Sequence, residues 1–146
     1  MLTKFKIFGA LVVMSISSAA FAEIVIIGHP DDSIGDIDTH NVRNLFLGER
    51  KSFPDGTHAV PINHVAGSPD RKEFFSTVLS MAESSHKRHW KRKISTGSGH
   101  TPKEVSSHDA LLKSVANTRG SIGYIDASKV DDSVKVLLTI TSFDEV

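Results

Sequence analysis

Cysteine is absent from the 146-residue sequence. That excludes a disulfide, a thiol nucleophile and lipid attachment at a cysteine. The fold must then be held by its core alone. A signal-free chain of about 124 residues can do this, because a chain of that size buries roughly two thirds of its surface. Net charge is also missing: 17 Lys and Arg stand against 17 Asp and Glu. Setting aside Lys4 and Lys6 leaves 15 basic residues against 17 acidic ones, a formal charge of −2. A general nucleic-acid binder would carry a strong basic excess, so no nucleic-acid partner is expected. Long apolar runs are scarce. The run from Phe5 to Ile16 falls short of the roughly 20 residues of a membrane span. Neither G-x-S-x-G nor H-E-x-x-H occurs. Gly97-Ser98-Gly99 followed by His100 is not a triad, since sequence neighbours need not face each other. No catalytic residue and no cofactor is expected.

What is present begins with a leader. Lys4 and Lys6 form a positive n-region, Phe5 to Ile16 the apolar run, and Ala20-Phe21-Ala22 an A-x-A cleavage signature. The expectation is an exported chain, cleaved after Ala22 and not membrane-spanning afterwards. Residues 1–22 are read as signal peptide and 23–146 as one domain. No repeat, low-complexity tract or long linker divides the latter.

Ile24 to Gly28 is a short apolar run ended by glycine and reads as a buried central strand. Asp38 or Thr39 can cap the next helix, with Val42, Leu45 and Phe46 inward and Gly48 at a left-handed C′ position. Ala59 to His64 is a second strand, in which Pro61 favours an edge. Gly67-Ser68 is a tight turn. Ser68 is an N-cap, Pro69 the N1 residue, and Phe74, Phe75, Val78, Leu79 and Ala82 an apolar stripe on a helix running to about Ala82. A further helix starts at Ser84 or Ser85 and contains Trp90. Thr101-Pro102-Lys103-Glu104 has the pattern of a capping box, with a second helix start at Ser106 to Asp109. Ile122 to Asp126 is a strand. In the last strand Val134, Val136, Leu138 and Ile140 alternate onto one side. Strands alternating with helices imply an α/β architecture, a mixed, mostly parallel sheet flanked by helices.

Amides at the Ser68 helix start, with a helix dipole behind them, make a local anion site. Its candidate members are Gly67, Ser68, Asp70 and Arg71, with His64 just before. Thr96 and Ser98 could close it from a neighbouring loop. His86 and His89, at i and i+3, share a helix face, and imidazole suits zinc, copper or nickel. Two ligands do not close a four-ligand site, and only Glu83 or Asp109 could add to them, so no metal is expected.

Several pieces together resemble a known family. They are the opening strand, Asn44-Leu45-Phe46-Leu47-Gly48, Gly67-Ser68 before a Phe-containing helix, Trp90, Gly97-Ser98-Gly99, and Val115-Ala116-Asn117-Thr118-Arg119-Gly120-Ser121-Ile122-Gly123-Tyr124-Ile125. The chain resembles the phosphate-binding proteins of ATP-driven phosphate importers, in the type 2 periplasmic-binding superfamily. Those receptors hold phosphate in a cleft between two lobes, and this chain resembles the second, inserted lobe alone. The resemblance implies a periplasmic, substrate-binding-like domain for phosphate or another small oxyanion. The family's turn reads R-x-x-G-S-G-T, with the Arg, Ser and Thr on phosphate. Here His64 falls at the Arg, Gly67 and Ser68 are kept, Pro69 replaces the second Gly, and Asp70 falls at the Thr. Pro69 removes an amide, and an ionised Asp70 repels a phosphate dianion by roughly 1 kcal/mol even in water. Arg71 stands one step further on.

Two functional readings follow. In one, the Ser68 helix start binds phosphate or another oxyanion weakly, in company with an importer. In the other, the domain has lost its ligand and serves as an interaction module for an envelope protein. The basic segment His86 to Lys93 is then a candidate contact.

Overall fold

The computed structural model describes residues 23–141. The predicted leader and the last five residues lie outside this range.

Five strands form one sheet in the order β3-β2-β4-β1-β5. Strand β1, Ile24–Gly28, is central and buried along its length, as its apolar run predicts. Its side chains divide between two cores: Ile24 and Ile26 point to one face, Val25 and Ile27 to the other. Helix α1, Thr39–Phe46, is opened by Asp38, whose side chain accepts from the Asn41 amide in a capping box. It packs Val42, Leu45 and Phe46 onto the first face. Gly48 follows at φ +69° and lies against the Trp90 ring, where an added Cβ would sit 2.7 Å from Cη2.

Strand β2, Val60–His64, lies inside the sheet rather than at its edge. Pro61 is tolerated because the Val60 amide bonds across to Gly120, so the next N position faces the opposite neighbour. That neighbour, β3, pairs only from Ile62 onward. The capping-box pattern at Thr101 to Glu104 opens no helix. Lys103–Val105 is instead strand β3, parallel to β2, and the helix begins at the second start, with Ser107 capping α4, His108–Asn117. Leu111, Leu112 and Val115 of α4 cover the second face.

Helix α2, Pro69–Phe74, runs into a π-helical turn, Phe75–Leu79, ended by Ser80 at φ 51°. It therefore stops three residues before the expected Ala82. Helix α3, Glu83–Ser95, follows Ala82, without a side-chain cap. Strand β4, Ser121–Asp126, pairs parallel with β2 and antiparallel with β1. Strand β5, Lys135–Ile140, is antiparallel to β1, with a bulge opposite Ile26 and Ile27. The bulge breaks the expected alternation: Val134 joins the second core, Leu137, Leu138 and Ile140 the first, and Val136 is exposed. The α/β, helix-flanked mixed sheet is as expected. Its parallel share is smaller, since two of the four pairings are antiparallel.

Candidate functional site

The Val65-to-Ser68 turn leads into α2. The Ser68 amide donates to the Val65 carbonyl, and Gly67 holds φ +91°, which suits the third position of a type II turn. The Ser68 hydroxyl accepts from the Arg71 amide at 3.4 Å. Ser68 is half-buried and lines the mouth of an open groove of about 950 Å³, with Gly67, Lys72, Phe75 and Met81. Between Ser68 and Arg71 the backbone has little left to offer an anion. Ser68 and Arg71 use their amides internally, and Pro69 has none, so Asp70 holds the one unengaged N–H of the four.

The three charged or titratable candidates come together, but behind the turn. Arg71 is buried, with 6% of its side chain exposed. Its Nε and Nη2 donate to the two oxygens of Glu83 at 2.7 and 2.8 Å, and its Nη1 donates to Glu104 at 2.9 Å and to the His64 carbonyl at 2.8 Å. The guanidinium also lies 4.6 Å from the centre of the Phe75 ring. Burial works against its charge, but the hydrogen bonds to Glu83 and Glu104 outweigh this and raise its pKa above the ordinary value. In return the Arg71 hydrogen bond holds the Glu83 carboxyl below the usual range, against burial.

Asp70 is buried as well. Its Oδ2 accepts from His108 Nε2 at 2.8 Å and from the Asp126 amide at 3.0 Å, tying α2 to α4 and to the end of β4. His64 donates from Nε2 to the Tyr124 carbonyl at 2.8 Å. Burial lowers its pKa, and the hydrogen bond to the Tyr124 carbonyl and the Asp70 carboxylate at 3.9 Å only partly offset this. The Tyr124 hydroxyl donates to Asn63 Oδ1 and accepts from the His64 amide. Its ring stacks on Phe74 at 3.9 Å. The phenol, Asp70 and Arg71 thus brace one internal polar network.

Thr96 and Ser98 are elsewhere. They bond to each other at 2.6 Å, and Thr96 also caps carbonyls at the end of α3. Ser98 lines a different groove, beside Trp90 and Pro61. The two histidines of α3 are engaged inside the fold. His86 Nε2 accepts from Trp90 Nε1 at 3.2 Å, and His89 Nε2 bonds the Leu47 carbonyl at 2.7 Å. Among the described residues no group of three or more His, Asp or Glu is arranged to hold a metal ion. Asn63, Glu83, Glu104, His108 and Tyr124 are network members that sequence reasoning did not place in the site. None shares a helix or strand with Arg71 or Asp70, so no periodic spacing would have drawn attention to it.

His86 should make stability pH-dependent. Burial, then the nearby Arg71 charge, lowers its pKa from 6.5 to about 4. Between those values the unfolded chain binds a proton that the folded chain refuses. Stability should therefore fall as pH drops from 6.5 to 4, by on the order of 2 kcal/mol from this group. Urea unfolding across that range checks it: in His86→Gln the slope should flatten.

No protein-family model matches the sequence. No curated relative matches either. Solved structures do. An ABC-type phosphate transport receptor from Vibrio cholerae superposes with a TM-score of 0.62 at 14% identity, over 80% of this chain and 46% of that one. The fold is the one found in phosphate-transport receptors. A structure from Clostridium perfringens described as a phosphate ABC transporter substrate-binding protein, with bound phosphate, gives 0.64 at 18% identity, over 80% and 45% of the two chains. PstS from Borrelia burgdorferi gives 0.59 at 16% identity, over 80% and 47%. The phosphate-receptor likeness thus spans less than half the length of each relative, which fits a single-lobe version. Among the described residues no helix is long and apolar enough to cross a membrane.

Proposed function

We infer that this chain is an exported, periplasmic, non-enzymatic lobe of the phosphate-receptor type that acts by protein contact rather than as a stand-alone phosphate receptor. Its partner would be an envelope protein, such as a component of an importer. Arg71 carries this reading. The nearest buried cation to the Ser68 turn is already satisfied by two of the protein's own carboxylates and a backbone carbonyl. An incoming oxyanion would have to displace them, and small anions bind tightly only when gripped from several sides.

The test uses protein recovered from the periplasm, which should begin at Glu23. Calorimetry with phosphate, sulfate and a carboxylate should show no heat for this protein at about 1 mM ligand. Glu83→Gln with Glu104→Gln should remove both competing negative charges from the guanidinium and give phosphate binding with a Kd on the order of 1 mM. Micromolar phosphate binding by the unaltered protein would overturn the protein-contact reading. A second reading, weak oxyanion binding at Gly67 and Ser68, is favoured by the open groove there and by Lys72 on its wall. In that case Ser68→Ala would abolish the heat.

A further inference from the structure

We propose that the groove between α3 and β3 binds an acidic peptide segment carrying one large apolar side chain. The proposal rests on the protein-contact reading above and supplies the chemistry of the partner.

The groove has a volume of about 720 Å³. Ile94 of α3 and the one exposed edge of Trp90, a side chain otherwise buried at 4% exposure, supply its apolar surface, with Ala66 and Thr101 also lining it and the exposed Lys87 and Lys91 on its rim. Ile94 is 54% exposed, and the other exposed large hydrophobic among the described residues, Val136, belongs to the β5 bulge. An isoleucine open to water beside a concave apolar surface is a place for a side chain to insert.

The charge on α3 points to what accompanies that side chain. Lys87, Arg88, Lys91 and Arg92 are all exposed. They fall at i, i+1, i+4 and i+5, on one face. Among the described residues none of the four has a carboxylate within ion-pair distance, whereas Lys93, on the inner side, is 3.5 Å from Glu49. The like pairs Lys87–Lys91 and Arg88–Arg92 each cost a few tenths of a kcal/mol on an isolated helix. Ser84 and Ser95, one turn from Arg88 and Lys91, stand where a self-sufficient helix would carry acids. The two glutamates that border the groove, Glu83 and Glu104, are held by Arg71. Arg71, Lys87 and Lys91 against Glu83 and Glu104 leave the groove lining at +1, and the exposed Arg88 and Arg92 add positive charge beside the apolar slot. A flat bilayer could meet the convex cationic face but would not enter the slot, so an acidic peptide with an apolar anchor fits both features.

The probe is a blocked heptapeptide with one leucine between two acidic triplets. It is titrated against the mature protein and read by the fluorescence of Trp90, the sole tryptophan of the sequence. A saturable change is expected, weakening about tenfold between low and moderate salt. Lys87→Gln with Lys91→Gln should weaken binding about tenfold, and Ile94→Ser about fivefold, both with unchanged melting temperature. Replacing the peptide's leucine by glycine should also cost about tenfold. The proposal is overturned by the absence of saturation at about 5 mM peptide. It is equally overturned if the glycine peptide binds as well as its parent, or if anionic phospholipid vesicles shift Trp90 while the peptide does not. If an envelope protein is captured equally by the Lys87→Gln, Lys91→Gln variant, this groove is not its site, and the broader protein-contact reading stands.

Discussion

Gly120→Ala should destabilise the protein by about 3 kcal/mol and lower its melting temperature by roughly 15 °C. Gly120 holds φ +76°, where any Cβ costs about 1–2 kcal/mol. An added Cβ would also sit 2.4 Å from the His58 carbonyl oxygen, a backbone atom with no rotamer to yield. The residue cannot shift to relieve this. Its amide donates to the buried Asp32 at 2.7 Å, and its carbonyl accepts from Val60 at 2.8 Å. It sits one residue before the Val60–Ser121 pairing, so a displacement would pull apart the parallel join of β2 and β4. Gly97 is the internal control. It holds φ +70° with no atom within 4 Å of a built Cβ, so Gly97→Ala should cost only the conformational term, about 1 kcal/mol. Thermal and urea unfolding of both variants checks the pair. Equal losses would remove the collision from the explanation.

Arg71→Met should cost about 2–3 kcal/mol at neutral pH. The variant leaves Glu83 and Glu104 without their partner and the His64 carbonyl without this donor. The two carboxylates are about half exposed, at 51% and 46%, and can rehydrate. The loss should therefore fall below that of a fully buried pair. Arg71→Lys should restore little, since one ammonium cannot reproduce a planar fork that reaches two carboxylates and a carbonyl. The acid limb provides a second readout. Glu83 is held below its ordinary pKa, so its contribution is present above that value and disappears as pH falls through the lowered one. The stability gap between the wild-type protein and Arg71→Met should narrow as pH is lowered below about 4.5. A gap constant with pH would show that lost packing against Phe75, rather than the ion pairs, accounts for the effect.

Local signals were readable where one segment decides its own structure. The Ile24–Gly28 run, the Ser68 cap and the left-handed Gly48 lie where the sequence places them, and the structure selects Asp38 over Thr39 as the α1 cap and Ser107 within the Ser106-to-Asp109 start. The failures share a cause. Thr101 to Glu104 carries the chemistry of a helix start, yet Lys103–Val105 is claimed by pairing with a strand 41 residues earlier. The alternation from Val134 to Ile140 is regular, but the bulge set by β1 breaks it. The candidate site shows the same division. Ser68 as cap was legible from its neighbours. The partners of Arg71 lie 12 and 33 residues away, and those of Asp70 lie 38 and 56 residues away, so nothing in the local pattern told that these charges face inward.

The two rims of the sheet bear on how such a lobe can persist in a crowded compartment. An open rim of unpaired peptide groups invites another chain to add a strand and begin a fibril. At one rim β3 offers only three residues, too little to template a stable addition. At the other, the kink in β5 spoils the straight register that an incoming strand would need, and Lys135 places a charge at its start. Straightening β5 by deleting the bulged residue, Leu137, would remove that safeguard together with one side chain packed on the first core.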